Sequence, residues 1–131
     1  MIAAIRKRID QEGGFTLIEL LVVVIIIGIL AAIAIPAFLG QRESAHRSAV
    51  ESDLRNAAIE LETYYTDEGS YPDDSDTDIT DIDDLDVTTT DGVTVDYDEA
   101  DPYLLTGTHE EISGESIDYD PNEGGLQEWG D

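Results

Sequence analysis

FTLIELLVVVIIIGILAAIAIPAFL, residues 15–39, holds a single charged side chain, Glu19, in 25 positions. A bilayer core is crossed by roughly 20 apolar helical residues, so the run is long enough to span it. Arg6, Lys7 and Arg8 stand just before it and place the N-terminus on the cytoplasmic side, with the rest of the chain outside. A secretory signal removed behind its apolar stretch is the competing reading. The run exceeds a usual signal core and passes without a break into a helical pattern, so the spacing predicts a retained helix. Glu19 is costly there, at about 2.5–3.5 kcal/mol on insertion scales, and needs a partner.

Composition narrows the rest. The 131 residues suit one domain plus an anchor. The net charge of −25 is unevenly spread: from Asn56 to Asp131 there are 25 acids and no Lys or Arg. Nucleic acid is therefore not a direct partner, because its phosphates need cations. Without cysteine there is no disulfide and no thiolate chemistry or thiolate metal site. The aliphatics after residue 66 are few, so a small head must take part of its core from a helix.

Gly14 followed by Phe15-Thr16-Leu17-Ile18-Glu19, with Gly28 and Pro36 inside the apolar run, resembles the N-terminus of type IV pilins and of the related pseudopilins. The likeness covers residues 6–40 closely. It implies a leader, residues 1–14, cut after Gly14 by a prepilin peptidase that also methylates the new amine on Phe15. It implies a transmembrane and assembly helix, residues 15–39, kept after the cut. In the assembled fibre Glu19 would face the amine of Phe15 on a neighbouring chain and set the register. Gly28 and Pro36 would bound a stretch that can lose helical order in the fibre. Read without the likeness, both are tolerated in membrane helices, and Pro36 costs one hydrogen bond and kinks the helix.

Residues 40–66 change character. Ala49, Val50, Leu54, Ala57, Ala58, Leu61 and Tyr64 or Tyr65 recur at three and four residues, an amphipathic continuation of the same helix. Arg42, Glu43, Arg47, Glu51, Asp53 and Arg55 fill the other positions and read as a solvated face with intrahelical pairing. His46 reads as a surface residue. Gly69 and Pro72 end the helix, and the phrase from Tyr64 to Pro72 again resembles the helix-to-loop boundary of pilins.

Residues 67–131 form an acidic loop and a β-sheet head. Asp73 to Asp84 holds seven Asp in twelve residues. Calcium takes about six to eight oxygens, which makes Asp73, Asp74, Asp76 and Asp78 calcium candidates. Counting an EF-hand from Asp74 puts Ile79 at the glycine position and Leu85 at the bidentate Glu position, so that template fails. Some pseudopilins hold calcium in this region; the plainer reading is a solvated loop without a metal or any other cofactor. Val87–Thr90 and Val93–Tyr97 flank Asp91-Gly92, a hairpin signal. Residues 103–109 and 115–119 read as further strands around a polar segment containing Gly114, with His109 at a strand edge. Three or four antiparallel strands would lie across the helix stripe, an α+β pilin-type fold.

No nucleophile is paired with a base and no glycine-rich phosphate loop follows a strand, so the residues point away from an enzyme. The expected function is structural: a type IV pilus subunit serving adhesion, motility or uptake. Its expected partners are other pilin subunits, prepilin peptidase, the pilus assembly machinery and, before assembly, the cytoplasmic membrane. A pseudopilin of a type II secretion or competence apparatus is the alternative, and an anchored binding protein that never polymerises is a third. Packing such acidic heads side by side is repulsive. The Debye length falls from about 10 Å at 0.1 M to about 3 Å at 1 M, so a saline setting or bound divalent cations would relieve it.

Overall fold

The computed structural model describes residues 14–73 and 77–131. Met1–Gly40 and Gln41–Asp131 are separate compact units. One helix, α1 (Leu17–Glu68), contributes to both and is helical without interruption through Gly28 and Pro36. Its N-terminal stretch leaves its large apolar side chains open, among them Leu17, Ile26 and Phe38. It is long and apolar enough to cross a membrane.

In the second unit α1 buries Val50, Leu54, Ala57, Ala58 and Leu61. These positions are spaced by three and four residues, which puts them on one face. That face is covered by a five-stranded antiparallel meander in the order β1 (Thr77–Asp78), β2 (Val93–Asp98), β3 (Leu104–His109), β4 (Ile112–Asp120), β5 (Gly125–Leu126). Alternation decides which side chains turn inward. Val93, Val95 and Tyr97 do so from β2, and Leu105, Gly107 and His109 from β3. The long helix against a small antiparallel sheet is the pilin-type α+β fold that the sequence led us to expect.

Gly107 sets how closely helix and sheet approach. A Cβ built on it would lie 2.5 Å from Cγ1 of Val50 and 2.9 Å from Cδ1 of Leu54. Both neighbours are fully buried and have nowhere to go.

Three details depart from the sequence reading. Val87–Thr90 is not a strand, and β2 pairs instead with β1 and β3. The amide of Thr90 donates to Oδ2 of Asp53 at 2.6 Å, and the Val93 amide donates to the Thr90 carbonyl at 2.9 Å. Asp91-Gly92 therefore forms a turn tied to α1 rather than the tip of a hairpin. The β3–β4 turn is made by Glu110-Glu111, which carries no glycine or asparagine signal, and Gly114 lies within β4. Its amide at Glu111 donates to Nδ1 of His109 at 3.0 Å, so a buried side chain stabilises the turn. The acidic loop is also more than a solvated segment. Its carboxylates at Asp81, Asp83 and Asp84 are exposed, but Ile79 and Ile82 are buried in the core and anchor it.

Gly107→Ala is expected to destabilise the full chain by about 1–3 kcal/mol, because the added methyl forces Val50 and Leu54 off their positions. Urea denaturation of detergent-solubilised protein measures this, and an unchanged midpoint would show that the contact can relax.

Candidate functional site

The chain approaches α1 through Gly14 and Phe15, both exposed and outside the helix. Thr16 then caps it. The Glu19 amide donates to Oγ1 of Thr16 at 3.3 Å, and the Thr16 amide donates back to Oε2 of Glu19 at 2.9 Å. This reciprocal pair satisfies two amides that the first turn of a helix leaves open. The positive end of the helix dipole also favours a carboxylate there. Glu19 is thus not the bare acid that the apolar run suggested. Glu19 is exposed, and its Oε1 has no hydrogen bond among the described residues, so one oxygen holds the cap and the other is left for a further partner. The local signal was present as Thr-x-x-Glu ahead of an apolar run.

A Cβ at Gly28 would meet nothing within 4 Å, so no contact among the described residues calls for glycine at that position. Pro36 sits within α1. Residues 1–13 of the expected leader, including Arg6, Lys7 and Arg8, lie outside the described residues.

The head contains polar clusters that the sequence assigned to its surface. Asp53 is 6% exposed, and its two oxygens accept from the amide and hydroxyl of Thr90. Arg47 reaches Glu43 at 2.8 Å along the helix and Glu115 at 2.6 Å on β4. A regular ladder would place Glu115 opposite His109, but a register shift puts Ile112 there and leaves Glu115 to the helix. Arg47 also lies over the ring of Trp129, whose indole N–H donates to Glu51, and this fastens the C-terminal tail. His109 is buried rather than at a solvated edge, and its ring packs against half-buried His46 with centroids 4.1 Å apart. These links join residues far apart in sequence, and periodicity carries no signal for them.

Of the calcium candidates, Asp74 and Asp76 lie outside the described residues. Asp73 is exposed, and Asp78 uses Oδ1 to accept from the Thr80 amide and hydroxyl at 2.9 and 2.7 Å. Among the described residues there is no group of three or more metal-ligating side chains.

Glu62 organises an aromatic cluster where the helix meets the loop. Its Oε1 accepts from the hydroxyls of Tyr71 at 3.0 Å and Tyr103 at 3.2 Å. Burial, then the hydrogen bond and charge of Glu62, push the Tyr71 phenol up to about 12. Burial and the same carboxylate raise Tyr103 further.

Residues 10–35 match the model of the prokaryotic N-terminal methylation motif. The chain is also 40% identical over 63 residues to "Type II secretion system core protein G" of Klebsiella pneumoniae, covering 48% of this chain and 45% of that protein. It is 38% identical over 66 residues to the protein of the same name from Escherichia coli, covering 50% and 46%. The chain therefore spans less than half the length of these curated relatives. No solved structure matches it. The motif and the homology both support a likeness to the type IV pilin-like family over the N-terminal half of the chain.

Because folding raises the Tyr71 phenol from about 10 to about 12, its contribution to stability is complete below pH 10 and is lost as pH rises through about 12. Alkaline titration of phenolate absorbance should show Tyr71 and Tyr103 ionising well above the ordinary tyrosine value. Tyr71→Phe should remove one such late step, and a titration curve without late steps, or one unchanged in its late part by that substitution, would contradict the cluster.

Proposed function

We propose that this chain is a pseudopilin of a type II secretion apparatus. It is made as a membrane-anchored precursor with its N-terminus inside, cut after Gly14, methylated on Phe15 and polymerised through α1. The observation that carries this reading is the methylation motif over residues 10–35, joined to the likeness to proteins named for the core of that secretion system. The names of those relatives weigh toward a secretion filament and away from the extracellular pilus that the sequence put first.

The geometry supports a division of labour. Gly14-Phe15 is exposed ahead of the helix, where a peptidase can reach it. Cleavage there creates an amine on Phe15, and the second oxygen of Glu19 on a neighbouring subunit can accept from it. Cap and amine then share one carboxylate, which fixes its rotamer before docking. Removing one partner of such a desolvated ion pair typically costs about 3–5 kcal/mol. Gly28 and Pro36 are assembly positions in this reading. The head contributes surface and no catalysis.

The mature chain should have an intact mass lacking Met1 to Gly14 and carrying one added methyl group; an uncut chain in cells that contain the peptidase would sink the proposal. Glu19→Ala should leave cleavage intact and abolish or misregister assembly, and normal filaments built solely of that variant would defeat the pairing. Filaments should also loosen when salt is lowered in the presence of chelator, because 25 acids without a Lys or Arg after Arg55 repel one another. Fibres unchanged by that treatment would remove both the saline and the divalent-cation explanations.

A further inference from the structure

We propose that the face of α1 carrying Arg55 and Ile59 is the site where a second copy of this chain docks its acidic head. This deepens the polymer reading above and rests on it. Ile59 is 65% exposed, and with Tyr65 it is one of two large apolar side chains left open among the described residues from Gln41 onward. Three adjoining grooves meet at Ile59, with Val87 on one side and Tyr119 and Leu126 on the other. The neighbouring Thr63 and Thr66 hydroxyls already donate to the carbonyls of Ile59 at 2.9 Å and Glu62 at 2.8 Å. A partner can therefore dry this face without orphaning those donors.

Charge selects the occupant. The head has no Lys or Arg after Arg55, and Arg47 is held by Glu43 and Glu115. Arg42 is exposed, and Arg55 is 59% exposed with only a loose 3.9 Å approach to Glu51. A second acidic head meets carboxylates over most of this surface, whereas at Arg55 it meets a cation beside an apolar patch. Glu60, Glu62 and Asp86 line the same grooves, so without Arg55 the face would repel an acidic partner. Copies anchored side by side in one membrane supply that partner at high effective concentration.

The chain has no cysteine, so Ile59→Cys accepts a single benzophenone label on the full-length protein. An equal mixture of 14N and 15N chains is assembled and irradiated, and the linked peptides are identified by mass. Expected are 14N–15N links from position 59 to acidic head peptides, reduced about tenfold by Arg55→Glu and kept by Arg55→Lys. Arg55→Gln serves as a second test, and unchanged unfolding midpoints confirm that each variant is folded. A parallel label at Leu21→Cys separates the two readings. Links between copies at position 21 but none at 59 overturn the docking face and leave the polymer standing, while links at neither position overturn both. Links from 59 only to lipid or to another protein, or a yield indifferent to Arg55→Glu, also overturn it.

Discussion

The burial of one helix constrains the whole chain. In the second unit the apolar stripe of α1 is covered by the chain's own sheet, at a distance that Gly107 sets against Val50 and Leu54. In the first unit the large apolar side chains of the described residues are exposed. Apolar surface on that scale must be removed from water by lipid or by other helices. One helix thus serves as the core of the head and as a surface that requires an environment. In the proposed reading, a membrane precursor that later packs against its own kind finds such an environment twice, first as lipid and then as neighbours.

Electrostatics follows a similar economy. The three Arg of the second unit all lie on α1, and everything after Arg55 is acidic or neutral. Arg47 binds the helix to β4 and to the C-terminal tail, while Asp53 holds the Thr90 turn against the helix. The fold is therefore secured at a few polar points on the helix. The many carboxylates of the loop and strands are left to the solvent, where salt screens them.

Much of this was legible locally. The three-and-four spacing from Val50 to Leu61 placed the helix stripe, Gly69 and Pro72 marked its end, and the alternation from Val93 to Tyr97 marked β2. The Asp91-Gly92 hairpin signal is overridden because its strongest competitor, Asp53, lies on α1, 37 residues before the Thr90 that it holds. Asp53 looks in sequence like any other acid on a polar face, and Glu115 looks like part of a strand until the register shift turns it toward Arg47. His109 was placed at an edge because its role is to accept from a turn that lacks turn residues. Thr16 is a different case, since the capping pattern was local and sat in view beside Glu19. The apolar run drew attention to the cost of the acid, and the amide that offsets part of that cost went unread.

The proposed pairing of Glu19 with a neighbour's amine can be measured directly by solid-state NMR. Filaments would be assembled from equal parts of chains labelled with 15N at the Phe15 amine and chains labelled with 13C at the Glu19 carboxyl. A dipolar coupling between differently labelled chains, corresponding to ion-pair contact at about 4 Å or less, is the predicted result. If well-ordered filaments show no coupling of the carboxyl carbon to an amine of another chain, the carboxylate is a helix cap alone and the assembly role proposed for it is wrong.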